Sequence, residues 1–156
     1  MGESVSARCV FYTLGKRGSV KYLFGRRSEY NRNNVGLLQI LGGKLKPELK
    51  ETPEDAFHRE ASEEAGDDFA TFFEGGHQPL GVVTYLHEDG RKKFFHHGFL
   101  QRVSEQAEPK PKPRSGGKPP EHDAFFWLTF KQAARRKLTR GALDMLKKAE
   151  AHLGNR

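Results

Sequence analysis

The segment Thr52–Gly66, TPEDAFHREASEEAG, constrains the fold more than any other stretch of the chain. Thr52 is a helix N-cap residue, Pro53 suits the first helical position, Asp55 is an acid at the third, and Gly66 is a usual stop. The spacing therefore predicts a helix over Thr52–Ala65. At about 100° per residue, Phe57, Ala61 and Ala65 form an apolar stripe, and Glu60, Glu63 and Glu64 fall beside it within an arc of about 100°. One edge packs, and the neighbouring edge is a carboxylate patch. Glu60 and Glu64 stand four apart, a like-charge spacing that destabilises a helix by about 0.2–0.5 kcal/mol when nothing compensates. Arg59 reaches Glu63, and no Lys or Arg follows within the next turn, so Glu60 and Glu64 still want positive charge. An oxygen-rich cluster of this kind suits Mg2+ or Mn2+. The plainer reading of the same residues is a solvated acidic face.

Around this helix the chain reads as one α+β domain. Its 156 residues suffice to bury about two-thirds of the unfolded surface, with twelve Phe supplying much of the apolar volume. Ala7–Leu14 and Val20–Gly25 are short runs rich in β-branched and aromatic residues joined by GKRGS, a hairpin pattern. LLQIL (Leu37–Leu41) is a further strand leading towards the helix. Leu80–Leu86 and Lys93–Val103 flank the turn EDGR and form a second hairpin. Ala124–Leu128 is a last strand, Thr129 caps a helix over Phe130–Lys137, and a final helix after Thr139 places Leu143, Leu146, Ala149 and Leu153 near helical spacing. Residues 104–120, SEQAEPKPKPRSGGKPP, hold almost no apolar side chain and read as a flexible basic loop.

A net charge of +7 favours anionic partners such as nucleotides or nucleic acid. The single Cys9 excludes an internal disulfide, and the opening MGESVSAR has no apolar stretch of the secretory kind. No run approaches the length of a membrane span, and the expected location is cytoplasmic.

The stretch Gly43–Asp67 resembles the Nudix box of the Nudix (MutT-like) hydrolases: Gly, five residues, Glu, seven residues, then Arg-Glu-apolar-x-Glu-Glu-x-Gly-apolar. Glu51, Arg59, Glu60, Ala61, Glu63, Glu64 and Gly66 all fall in place. Seven residues rather than five separate Gly43 from Glu51, so the loop LKPELK is two residues longer than the pattern, and Asp67 stands where an apolar residue is usual. Extra length in such a loop costs little, and the helix is expected to keep its place.

The resemblance implies an α/β/α sandwich with a mixed β-sheet and hydrolysis of a diphosphate linkage in a nucleoside diphosphate derivative, supported by Mg2+ or Mn2+. The substrate expected first is a nucleoside triphosphate or a dinucleoside polyphosphate. Removal of pyrophosphate from the 5′ end of RNA, or a non-catalytic module that binds nucleotide or RNA, are the alternatives. By the same resemblance the metal ligands are the Gly43 carbonyl, Glu60, Glu63, Glu64 and Glu121, with Glu63, Glu64 and Glu121 as catalytic carboxylates and Glu51 a partner that positions Arg59, the organiser of the box. Glu121, outside the box at the start of EHDAFFWL, is the remote ligand or general base, and Glu88 is its weaker competitor. Arg26 and Arg27 sit where the family often places basic residues. Because successive strand residues face opposite sides, at most one of them points to the site. Tyr85 lies where a ring could stack on a base. His96 and His97 point apart for the same reason and read as ordinary strand positions.

Overall fold

The structure, a computed structural model, describes residues 2–31 and 33–154. Its centre is a long strand, β1 (Gly2–Leu14), which pairs in parallel with β6 (Lys92–Arg102) along the register Gly2↔Lys92 to Tyr12↔Arg102. The other strands are β2 (Val20–Arg27), β3 (Leu38–Gln39), β4 (Leu41–Lys44), β5 (Gln78–Leu86) and β7 (His122–Leu128). The seven strands described make one mixed sheet in which β5 borders β6, while β3 and β7 both pair with β2. The helices are α1 (Pro53–Ala65), α2 (Phe130–Ala134) and α3 (Ala142–Gly154). Among the described residues no helix is long and apolar enough to cross a membrane.

Alternation along β1 supplies a core on each face. Ala7, Cys9 and Phe11 meet Phe57, Ala61 and Ala65 of α1, and Val10 packs with Tyr22 and Phe24 against Met145, Leu146, Ala149 and Leu153 of α3. The first core is an aromatic cluster: Phe11 lies 5.9 Å from Phe57, 5.0 Å from Phe69 and 5.7 Å from Phe73, ring centre to ring centre. Truncating fully buried Phe57 to Ala would cost about 3–5 kcal/mol, because a cavity replaces those contacts.

Helix α1 begins as its sequence dictates. Thr52 Oγ1 accepts from the Asp55 amide at 3.1 Å, and Asp55 accepts from the Thr52 amide at 3.0 Å, a reciprocal capping box. Gly66 closes the helix with a positive φ of 108°. The lengthened loop folds into a single 3-10 turn at Pro47–Leu49, closed by Lys50 in the left-handed region, so the extra length is taken up before the helix starts.

Three element boundaries differ most from the sequence reading. Strand β1 starts at Gly2 rather than Ala7, since parallel pairing with β6 recruits the mostly polar run GESVS. The run Leu37–Leu41 is not one strand but two: β3 pairs with β2, β4 pairs with β1, and Ile40 lies between. Helix α2 ends at Ala134, short of Lys137. The division at Ile40 matters most. Strands β1 and β2 are partners only over Tyr12–Leu14, and at Ser6–Cys9 that edge of β1 is taken by β4 instead. The two halves of the sheet part there, and a cleft opens between them.

Residues 104–120 run past the end of α1. The last carbonyls of a helix lack intrahelical partners, and here the Ala65 and Glu63 carbonyls accept from the Lys110 and Lys112 amides at 2.6 and 3.3 Å. Asp67, the departure from the box pattern, accepts from Ser62 Oγ at 2.6 Å and pairs with the Lys112 ammonium. The acid at that position thus ties the basic segment to the helix end.

Candidate metal and phosphate site

The cleft between the sheet halves has a volume of about 380 Å3 and is lined by Glu60, Glu63, Glu64 and Glu121 together with Arg8, Arg27, Lys44, Lys112 and Arg114. Helix α1 supplies the first wall. Glu60 and Glu64, four residues apart, are both buried, whereas Glu63 turns outward to Arg59 at 3.0 Å and to Lys46 at 3.8 Å. The adjacent glycines of β4 let the helix come close. A β-carbon on Gly43 would stand 2.3 Å from Glu60 Oε1, and one on Gly42 would stand 2.1 Å from the Ala7 carbonyl. The Gly42 amide donates to Glu64 Oε2 at 2.8 Å.

Arg59 acts as a clamp behind this wall. Its guanidinium donates to Glu51 at 2.6 and 3.0 Å, to Glu60 at 2.8 Å, to Glu63 at 3.0 Å and to the Lys44 carbonyl at 2.9 Å. The hydrogen bond from Arg59 holds the Glu51 pKa below the usual carboxylate range. Glu51 also accepts from the Lys46 amide at 2.8 Å, which fixes the lengthened loop to the helix.

Strands β2 and β7 supply the opposite wall. Arg27 donates to Glu121 at 2.6 Å and to Gln39 Oε1 at 3.2 Å. Arg26 faces the other way, 2.7 Å from Asp123 and over the Phe126 ring, so alternation leaves Arg27 as the member of the pair that lines the cleft. His122 is buried, and its Nε2 lies 3.0 Å from the same Gln39 oxygen. Arg27 can only donate, so that atom of Gln39 is an acceptor, His122 Nε2 carries the proton, and Nδ1 keeps the lone pair. Burial lowers the His122 pKa to about 4, and the ring is neutral at pH 7. Gly25 makes room for it, since a β-carbon there would stand 2.4 Å from His122 Cγ.

Across the cleft, ligand atoms of Glu64, Glu121 and His122 all lie within 4.8 Å of one another. Burial, then the charges of Glu121 and Glu60, push the Glu64 pKa well above the usual range. Burial also raises that of Glu60, against the pull of Arg59. For Glu121 burial acts in the same sense but is outweighed by the hydrogen bond with Glu64 and by Arg27, so its pKa is lowered. Among the described residues no Lys or Arg pairs with Glu64, whose partners are the Gly42 amide and Glu121. Two buried carboxylates with raised pKa values facing a third that is ionised form a site short of positive charge. The oxygen donors fit Mg2+ or Mn2+.

A sequence model of the NUDIX domain matches residues 4–149. The chain belongs to the NUDIX family. No curated protein sequence matches it. Among solved structures it is similar to the NUDIX domain of Shewanella oneidensis NrtR complexed with ADP ribose (TM-score 0.74, 17% identity, 98% of this chain and 90% of that one). It is also similar to a C. elegans Ap4A hydrolase (0.73, 17%, 98% and 99%) and to a MutT protein from Methanosarcina mazei (0.71, 22%, 97% and 95%). At these identities the likeness is one of fold, the α/β/α sandwich around a mixed sheet. Membership of the family and the acidic cluster together support a diphosphate-hydrolysing activity in general.

Within the Nudix fold, Glu51, Arg59, Glu60, Glu63, Glu64, Glu121 and Arg27 converge on the cleft or on its clamp. Tyr85 does not line the cleft. It lies in an adjoining hollow, where Phe94 stacks on its ring at 5.0 Å and the Arg140 guanidinium sits 5.0 Å over the ring, so the surface expected to receive a base is already occupied. Glu88 lines that hollow too, on the exposed turn, away from Glu64. His96 is buried, while His97 faces the other side of the sheet. Arg8, Gln39 and His122 were not singled out from the sequence as site residues. Arg8 in the run ARCVFY and His122 directly after Glu121 were the available signals.

Proposed function

We propose that the cleft hydrolyses a diphosphate linkage in a nucleoside diphosphate derivative, a nucleoside triphosphate or a dinucleoside polyphosphate, with Mg2+ or Mn2+. The observation that carries this reading is the apposition of buried Glu60 and Glu64 and half-buried Glu121 to Arg8, Arg27, Lys44, Lys112 and Arg114 around one cleft. Glu60, Glu64 and Glu121, with Glu63 and the Gly43 carbonyl, would hold the metal, which supplies neutralisation of phosphate charge and acidification of water. Glu121, kept ionised by its hydrogen bond with Glu64 and by Arg27, would take the proton from the attacking water. Arg59 organises Glu51, Glu60 and Glu63 and does not touch the substrate. The Tyr85 ring, covered by Phe94 and Arg140, is not the surface that receives a base.

A second reading is supported by Lys112 and Arg114, which bring the basic segment to the cleft and would suit the 5′ end of an RNA. The decisive experiment is a screen of nucleoside triphosphates, dinucleoside polyphosphates, nucleotide sugars and triphosphorylated RNA with Mg2+ and Mn2+, reading released phosphate and pyrophosphate. Turnover of the first two groups is the expected result. Tight RNA binding without turnover of any substrate would replace it with a binding module.

A further inference from the structure

Beside the acidic cleft, and sharing Arg8, Arg27, Gln39 and Lys44 with it, lies a second hollow of about 360 Å3. A volume of this size is within the range of small-molecule sites, about 300–1,000 Å3. Four cations line it, Arg8, Arg27, Lys44 and Arg140, against one acid, the exposed Glu88. Arg27 is committed to Glu121. Among the described residues, Arg8, Lys44 and Arg140 have no carboxylate partner, and Lys44 sits instead beside the ammonium of Lys92. Cations left next to one another at a cleft mouth repel, and an anion placed between them removes that cost.

The aromatic residues serve the same end. Tyr85 and Phe94 stack on each other, and each carries a cation: Arg140 lies 5.0 Å from the Tyr85 ring centre and Lys92 lies 5.6 Å from that of Phe94. The Tyr85 hydroxyl is held by His96 Nε2 at 2.9 Å, and His96 Nδ1 receives Ser6 Oγ and, at 3.4 Å, Arg8 Nε. An uncharged His96 is thus the hinge of a network that points Arg8 and Arg140 into one space. The surface offers guanidinium and ammonium groups, which match phosphate oxygens, and no bare ring for a base.

We propose that this hollow binds a phosphoryl group of the substrate outside the diphosphate that is cleaved, so that the preferred substrates are multiply phosphorylated. The inference rests on the diphosphate-hydrolase reading above. The extra phosphoryl group belongs either to a longer polyphosphate chain between two nucleosides or to a phosphate ester on the group that the nucleotide carries. Both offer anionic phosphoryl oxygens to Arg8, Lys44 and Arg140, with one charge on each internal phosphate of a chain and about two on a terminal ester.

The test compares the wild-type protein with Arg140→Gln and Arg140→Glu, at a cation that lines this hollow and not the acidic cleft, on three substrates in Mg2+ and Mn2+. These are dinucleoside polyphosphates of increasing phosphate number, a nucleoside diphosphate joined to a phosphorylated sugar, and the same compound without the sugar phosphate. Arg140→Glu is expected to raise KM for a phosphate-rich substrate by about tenfold or more, with Arg140→Gln between it and the wild type, leave kcat nearly unchanged, and leave the last compound within about twofold. Dependence of the KM effect on chain length identifies the polyphosphate source, and its appearance with the phosphorylated sugar identifies the ester. An equal loss on all three substrates, no loss on any, or a KM that follows base identity would overturn the proposal. Titration of inorganic tripolyphosphate into the metal-free proteins separates the two readings. Absence of all turnover, with tripolyphosphate binding weakened about tenfold in Arg140→Glu, would fell the hydrolase and leave the anion site. Turnover without KM discrimination would fell the anion site alone.

Discussion

Replacing Glu64 with Gln should push the protein in opposite directions depending on whether metal is present. Glu64 is buried, faces Glu121 and Glu60, and has no basic partner among the described residues. Glutamine is nearly isosteric, its oxygen can keep the Gly42 amide, and its NH2 can replace the Glu64 proton as donor to the Glu121 carboxylate. Glutamine is neutral without taking up a proton, whereas Glu64, its pKa raised by burial, must be protonated or carry a buried charge in the folded protein, at a cost of up to about 1.4 kcal/mol per pH unit above its unfolded value. A net gain of about 1 kcal/mol in the metal-free protein is therefore a cautious figure, or about 2–4 °C in Tm for a chain of this size. Metal reverses the order. At a hundredfold excess over Kd, a bound ion stabilises the wild type by about 2.7 kcal/mol, and the variant, lacking one ligand, should gain little. Activity should fall by about 100-fold or more, since the metal contributes several kcal/mol to transition-state stabilisation. Thermal melts with chelator and with a Mn2+ series, run beside a phosphate-release assay, read all three quantities. A variant that melts below the wild type in chelator at pH 7 would refute the argument that burying the Glu64 carboxyl costs stability. One that keeps both the Mn2+ shift and the activity would remove Glu64 from the ligand set.

The pH dependence of stability should be set in part by two buried histidines. Burial lowers His96 to about 3 and His122 to about 4, so below about pH 6.5 the unfolded chain takes up protons that the folded one does not. Their contribution is complete above that pH and is lost at up to about 1.4 kcal/mol per unit per group as pH falls towards the folded values. Urea midpoints of the metal-free protein between pH 7.5 and 5.5 should show a shallower slope for His96→Asn, and an unchanged slope would mean that His96 does not stay neutral. Gly25→Ala, whose new β-carbon meets the His122 ring, should cost about 1–3 kcal/mol and reduce activity together. Full retention of both would show that the ring can move without consequence. Asp67→Asn should release the basic segment from the end of α1, making limited proteolysis within residues 104–120 faster than in the wild type. Equal cleavage rates would show that the backbone bonds to Ala65 and Glu63 hold it unaided.

Helix α1 and its caps were legible because each signal is local: Thr52, Pro53, Asp55 and Gly66 act within one or two turns of themselves. The convergence of Glu60 and Glu64 and the pairing of Glu63 with Arg59 followed from helical spacing, but the additional contact of Glu63 with Lys46 in the lengthened loop could not be read from period alone. The first residues of β1 and the split at Ile40 were invisible for another reason. GESVS is polar, and its strand conformation comes from β6, whose pairing residues lie about ninety positions away in sequence. Arg8, Gln39 and His122 escaped notice because they come from three different strands and become neighbours only in the folded sheet. For Arg26 and Arg27 the sequence supplied the rule of alternation but not its phase, which the pairing of β2 with β7 then fixed.

The two places where the chain departs from the box pattern lie at opposite ends of α1, and each brings a lysine towards the carboxylate wall. The longer loop puts Lys46 within 3.8 Å of Glu63, while Asp67 holds Lys112, a residue that lines the cleft. Neither change disturbs the buried part of the wall. Glu51 still bridges the loop amide and Arg59, and Gly42 and Gly43 still admit Glu64 and Glu60. On the proposed reading, the groups that would hold metal, the wall packed between β4 and α1 together with Glu121 beside β7, are thus separate from those that would meet the rest of the substrate, which lie on exposed, lysine-bearing segments anchored at the helix ends. Substitutions in residues 44–50 or 104–120 should accordingly move KM between substrates while leaving the metal-induced rise in Tm in place.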